Sequence, residues 1–185
     1  SEFIRAARTG PVTWMLRRHD PILPLTQEPF EPGWVGFACV LIRREVVDSV
    51  GLLDDDFFMY FEDLDYCVRA TRAGWKILYW PAARIVHIHG ASSGVTRDEG
   101  WRRRAPRYYY ESRARYFAKS YGRRGLWLAN CLFHLGRMVS APRELLGRST
   151  ELRDNESLDI WINAGNPLRS RKESHVMTGE PPPSH

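Results

Sequence analysis

Glu62 and Asp63 stand side by side ahead of an apolar-periodic stretch, and His87 and His89 follow some 25 residues later, before a Gly-Ala-Ser-Ser loop. Tyr60 to Ala73 has helical periodicity, with Phe61, Leu64 and Val68 on one stripe and Gly74 as the stop. That places the two acids in the first turn. A helix N-terminus favours negative charge by roughly 0.3–1 kcal/mol, so both are expected to be ionised at pH 7. A carboxylate held ionised at the edge of a cleft is a competent general base for a hydroxyl nucleophile. Asp65 and Arg69 are spaced i,i+4 and should pair along the helix, which leaves Asp63 as the free carboxylate. The plainer account is that Glu62 and Asp63 only complement the helix dipole.

The two histidines bear on that choice. On a strand, alternate residues point to one face, so His87 and His89 would present both imidazoles on the same side. Imidazole with carboxylates suits a Mn-type cation. An isolated His-x-His pair is as readily a structural feature, and periodicity alone names no reaction.

The elements around these residues follow from pattern. Four prolines between Pro21 and Pro32 forbid regular helix there. Trp34 to Ile42 is a continuous apolar run that reads as a buried strand. Arg43 to Val50 reads as a short helix closed by Gly51. Trp75 to Tyr79 and Ala83 to Ile88 read as further strands separated by a turn at Pro81. Beyond Gly90, Thr96 to Tyr121 reads as an Arg-rich helix, Gly122 to Gly125 as a break, and Leu126 to Val139 as an apolar-rich helix.

Composition sets outer bounds. The 185 residues are 43% hydrophobic, with seven Trp, eight Tyr and eight Phe, enough to build a core. No apolar run reaches the roughly 18 residues of a spanning helix, and the first residues do not read as a signal peptide. The chain begins with Ser rather than Met, which suggests a piece of something longer. Cys39, Cys67 and Cys131 form no Cys-x-x-Cys motif. Cys39 and Cys67 sit in apolar runs and are expected to be buried thiols of a reducing, cytoplasmic compartment.

The net charge of +5 hides two opposed fields. Six acids and no base lie between Asp54 and Asp65; nine bases and one acid lie between Trp101 and Arg124.

The block from Gly51 to Ser92 resembles the C-terminal half of the catalytic domain of family 2 glycosyltransferases, above all the rhamnosyltransferase-like members. The resemblance is carried in register by Val50, Gly51, Leu53, Asp54, Phe57, Phe58, Tyr60, Glu62, Asp63, Asp65, Cys67, Arg69, Gly74, Trp75, Tyr79, Pro81, Ala83, His87 and Ser92. It extends more loosely from about residue 30 to 125, with a faint echo in Trp161 to Pro167. It implies an α/β class, a partial GT-A fold lacking the N-terminal nucleotide-binding half, with helices at the C-terminus.

By the same resemblance, Asp63 would deprotonate an acceptor hydroxyl that attacks a nucleotide sugar with inversion. Glu62 and Asp65 would orient the base or the acceptor, and Trp34 and Gly36 would line the acceptor side. His87 would complete the shell of a Mg²⁺ or Mn²⁺ ion beside the diphosphate. Where the family usually has Gly-Ala, this chain has Gly36-Phe37-Ala38. About thirty residues precede Trp34, too few for a nucleotide-binding half, and Asp54-Asp55-Asp56 lies too late to serve as its Asp-x-Asp motif. The implied division is an acceptor-side half over residues 1–100, a basic and amphipathic helical appendage over 101–166, and a disordered tail over 167–185.

The Tyr- and Arg-rich helix remains open to three readings: a solvated face, a nucleic-acid surface, or a membrane surface serving a lipid-linked acceptor. The apolar helix after it favours the membrane, and no nucleic acid is expected. The implied function is sugar transfer to a lipid-linked or polysaccharide acceptor at the inner face of the plasma membrane, with this chain inactive alone. The rival is a non-catalytic module that keeps the fold and binds a membrane or a partner.

Overall fold

The computed structural model describes residues 26–86, 104–145 and 154–170. Four helices order them: α1 (Arg44–Val50), α2 (Glu62–Arg72), α3 (Arg107–Leu145) and α4 (Glu156–Asp159). Helix α1 closes where its glycine predicts. Gly51 adopts φ +80°, and its N–H donates to the Val47 carbonyl at 2.8 Å.

Helix α2 starts two residues later than its periodicity suggests. Tyr60 and Phe61 both take the left-handed conformation, φ +70° and +67°, which costs an L-residue roughly 1–2 kcal/mol each. Aromatic packing holds them there: Tyr60 stacks on Tyr108, and Phe61 lies against Tyr109 and Tyr116. At the other end Gly74, φ +88°, ends the helix as predicted.

The break expected at Gly122 to Gly125 is present: Gly122 separates α3 into two helical arms. Only Gly122 leaves helical geometry, with φ 72° and ψ 173°. A methyl group on Gly125 would come within 2.3 Å of the Tyr121 Cβ, so the bend needs a glycine there.

Residues on both sides of the expected division at residue 100 pack together. Phe57, Phe61 and Leu64 share one core with Ala114, Tyr116, Phe117, Leu126 and Ala129 of α3 and with Ala164. The helical region is therefore part of the same packed body. The tail begins later than residue 167: Arg115 donates to the Arg169 carbonyl at 3.2 Å, and Ser170 Oγ donates to Asp56 at 3.0 Å. Residues 171–185 lie outside the described residues.

The predicted strands are not present among the described residues. One antiparallel backbone pair, Phe30 with Tyr79, is formed, with N–H to O distances of 3.3 and 2.9 Å. The α/β class is thus not seen here; the described architecture is helical. A strand is stabilised by its ladder neighbour, and among the described residues no backbone ladder pairs with residues 34–42 or 83–86. Leu41 is 96% exposed and Val86 91%, so the ends of the apolar runs that read as buried strands stand open, whereas Trp34 packs against the core. Cys39, expected to be buried, is exposed for the same reason, whereas Cys67 is buried.

The opposed charge fields meet each other. Lys119 Nζ donates to Asp54 at 2.7 Å and to Asp65 at 2.9 Å. Arg115 pairs with Asp54 and Asp56, and Arg69 with Asp65 at 2.9 Å. Arg69 also donates to the carbonyls of Val50 (2.6 Å) and Leu52 (2.9 Å). Arg115 and Lys119 both lie over the ring of Phe57. Much of the expected basic surface therefore faces inward and ties α3 to the acidic loop.

Burial pushes the Asp54 carboxyl up, but Lys119, the Asp56 N–H and Arg115 outweigh it and hold it below its ordinary range. A depressed native pKa supplies stability that is complete above the unfolded value and is lost as pH falls through the native one. Lys119→Met should lower stability by about 2 kcal/mol, since it leaves buried Asp65 with Arg69 as its one remaining ion pair among those described, and lower Tm by roughly 4–8 °C. In thermal melts from pH 3 to 7, the difference between parent and variant should shrink at the acid end.

Candidate functional site

Helix α2 aims its first turn into a cavity of about 530 Å³. Trp34, Gly36, Glu62 and Asp63, four of the six residues singled out from the sequence, line that one cavity. The left-handed Tyr60-Phe61 turn sets the direction, and Ser112 Oγ of α3 anchors it by donating to the Met59 carbonyl at 3.0 Å.

Asp63 Oδ1 accepts from the Leu64 N–H at 2.8 Å, the first-turn bond that fixes its rotamer. Its other oxygen faces Gly36, where an added methyl group would sit 3.8 Å from Oδ2. Glycine at 36 thus leaves open the approach to the carboxylate. Burial pushes the Asp63 carboxyl above its ordinary value; the backbone N–H groups of Leu64, Asp63 and Phe37 offset part of this. Glu62 is also pushed up, first by burial and further by the Asp63 charge. The helix N-terminus was expected to keep both acids readily ionised. Burial opposes it and sets the upward direction of both shifts.

Glu62 Oε2 and Trp34 Nε1, at this cavity, are buried without a hydrogen-bond partner among the described residues. One accepts and the other donates. A buried group left unsatisfied costs roughly 1–3 kcal/mol, so each atom would gain from a polar partner.

Asp65 is placed elsewhere. Its side chain is 3% exposed and engaged by Arg69 and Lys119, and it does not line the cavity. It supports the site from below, by fixing α2. His87 lies outside the described residues, as does His89. Among the described residues no three His, Cys, Asp or Glu side chains converge as a metal site.

The far wall was not foreseen. Tyr109, Tyr110, Arg113 and Phe117 of α3 line it, with Phe133 beyond the kink and Glu156 and Ile160 from the α4 region. Arg113 is 6% exposed; it donates to Asn130 Oδ1 at 2.7 Å and lies 5.0 Å over the Phe117 ring. Asn130, fully buried, passes the link on by donating to the Ile160 carbonyl at 3.0 Å. The spacing 109, 113, 117 is one helical face, so the signal was there, but an Arg-rich helix reads as a surface until its acidic partners are placed.

The raised acids carry a stability consequence. Where the native pKa of an acid exceeds the unfolded one, the native state holds more protons, and stability falls as pH climbs between the two values. Asp63→Asn keeps the acceptor for Leu64 and removes the charge. It should raise Tm at pH 7, and so should Glu62→Gln; both gains should vanish near pH 3, where the parent is protonated as well.

Comparison with known proteins agrees with this region of the chain. The family model for glycosyltransferase like family 2 matches residues 31–146. The N-acetylglucosaminyl-diphospho-decaprenol L-rhamnosyltransferase of Mycobacterium tuberculosis is 40% identical over 73 residues, 37% of this chain and 24% of that protein. The low-salt glycan biosynthesis hexosyltransferase Agl10 of Haloferax volcanii is 40% identical over 68 residues, 36% of this chain and 22% of its own length. The rhamnosyltransferase WbbL of Escherichia coli is 35% identical over 54 residues, 29% of this chain and 20% of its own. The matched stretch thus spans about a quarter or less of each relative. No solved structure gives a significant match. With most of its described residues inside the matched span, the chain belongs to the family 2 glycosyltransferase-like proteins.

Proposed function

We propose that this chain forms the acceptor side of an inverting glycosyltransferase, with Asp63 as the general base and a sugar of a lipid-linked or polysaccharide acceptor in the cavity beside it. The observation that carries the reading is the cavity itself. A half-buried carboxylate of raised basicity sits beside an unsatisfied donor, Trp34 Nε1, and an unsatisfied acceptor, Glu62 Oε2, among aromatic rings. Sugars offer both hydroxyl donors and acceptors, and their C–H faces pack on aromatic rings.

In the step proposed, the acceptor O–H gives its proton to Asp63 as its oxygen forms a bond to the anomeric carbon of a nucleotide sugar. The bond from that carbon to the diphosphate breaks, and the diphosphate leaves with the electron pair. One carboxylate suffices, because a nucleoside diphosphate departs without being protonated. A glycosidase needs a second, protonated carboxyl because its leaving group is an alcohol. A base of raised pKa is a stronger proton acceptor once ionised, so burial of Asp63 serves the chemistry while costing stability.

Glu62 would hold the acceptor hydroxyl rather than remove its proton, since its unsatisfied oxygen lies beside Asp63 on the same turn. The proposal extends to a divalent cation, Mg²⁺ or Mn²⁺, with His87 as one ligand; no step above is routed through it. The decaprenol-linked acceptor in the name of the mycobacterial relative supports the lipid-linked class.

The test is transfer by the complete gene product. Asp63→Asn should lower kcat at least ~100-fold, with little change in the acceptor KM. The acid limb of the parent pH–rate profile should lie above the ordinary aspartate value of 3.8. Near-normal turnover in Asp63→Asn would overturn the assignment and favour the rival reading, a module that keeps the fold and only binds.

A further inference from the structure

The second arm of α3, after the kink at Gly122, is apolar on both sides. Its inner side is accounted for: Leu126, Ala129, Asn130 and Phe133 are all buried, at 3% exposure or less. On its outer side lie Trp127 (52% exposed), Leu128 (52%), Leu135 (56%), Met138 (73%) and Val139 (43%), with Cys131 also exposed. At 3.6 residues per turn these six fall within an arc of about 120°. A helix on a protein surface ordinarily turns charged residues to that side. Trp161 lies edge-on against Trp127, with ring centroids 4.8 Å apart, while Leu128, Leu135, Met138 and Val139 stay exposed among the described residues.

Charge indicates what covers them. No Asp or Glu occurs between Glu111 and Glu144, while seven Lys and Arg do. Arg113, Arg115 and Lys119 are turned inward, as described above. Arg123 and Arg124 are exposed at the start of the second arm, and Arg137 stands near its far end. Arg123 is engaged by a neutral group, the Gly165 carbonyl, at 2.9 Å. An apolar stripe bearing a Trp and bracketed by arginines matches the interfacial zone of a bilayer, acyl chains beneath anionic headgroups. No helix among the described residues is long and apolar enough to cross a membrane, so the arm would lie along the surface.

We propose that the outer face of residues 127–139 seats the protein on a membrane containing anionic lipid. This rests on the acceptor reading in one respect: it gives that reading its geometry. Phe133, on the inner side of the same arm, lines the cavity that holds Asp63. One helix thickness, about 10 Å, would then separate the lipid surface from the cavity, a short reach for a sugar carried on a lipid diphosphate.

The test is sedimentation of the 185-residue chain with vesicles of phosphatidylcholine containing about one third phosphatidylglycerol. A second readout is an environment-sensitive fluorophore on Cys131 in a Cys39→Ser background, Cys67 being buried. The parent should sediment with the anionic vesicles and the label should shift to the blue. Leu128→Glu with Leu135→Glu should cut partitioning at least ten-fold while leaving the circular dichroism unchanged, both side chains being more than half exposed. Asp63→Asn should bind like the parent, which separates this outcome from that of the acceptor-base reading. A parent that stays in the supernatant with an unshifted label would overturn the proposal. So would equal binding by the double variant. A lipid-free dimer that the same two substitutions disperse, without vesicle binding by the parent, would assign the face to a second copy instead.

Discussion

Lys119 is the point on which the site depends. One ammonium group donates to Asp54 in the loop before α2 and to Asp65 within α2, so the loop, α2 and α3 are tied at a single atom. Arg115, one turn earlier, repeats the tie through Asp54 and Asp56 and carries it to the chain near Arg169. Neither contact is worth much as an exposed ion pair. Here Asp65 is nearly fully buried, so each lost partner leaves a charge in a poorly solvated place. The network fixes the roll of α2, and the roll of α2 decides that Asp63 meets the cavity while Asp65 does not.

Above that network, the chain accepts unfavourable terms where its chemistry would sit. Tyr60 and Phe61 hold left-handed backbone conformations, two acids share one half-buried turn, and Trp34 Nε1 and Glu62 Oε2 lack partners. Each is a local cost that a scaffold optimised for stability alone would remove. They occur together on one cavity, and the surrounding aromatic packing, with Tyr109 touching both Tyr60 and Phe61, over-determines the turn that carries them. Strain concentrated at one place and supported from several sides is the usual arrangement of a working site.

The sequence made the local features legible and hid the long-range ones. Helix ends marked by Gly51 and Gly74, the Asp65–Arg69 pair, and the shared location of Trp34, Gly36, Glu62 and Asp63 all follow from short spacings or a family pattern. The Arg-rich helix was misread as surface because its partners are more than fifty residues away, at Asp54, Asp56 and Asp65. Apolar runs at 34–42 and 83–88 read as strands, since a continuous apolar run carries no information about whether a neighbour stands beside it. The left-handed start of α2 had no signal either: aromatic residues are poor candidates for positive φ, and tertiary packing alone holds them there.

The central claim is that Asp63 is a half-buried carboxylate of raised basicity, placed to take a proton from an acceptor sugar. Its most direct test is a carbon-13 titration of the Asp63 side-chain carboxyl in the 185-residue chain, with and without a short-chain lipid-diphosphate sugar. The account predicts a midpoint above the ordinary 3.8 and a resonance that moves when the sugar is added. A carboxyl titrating at or below that value, with a resonance indifferent to the sugar, would contradict it.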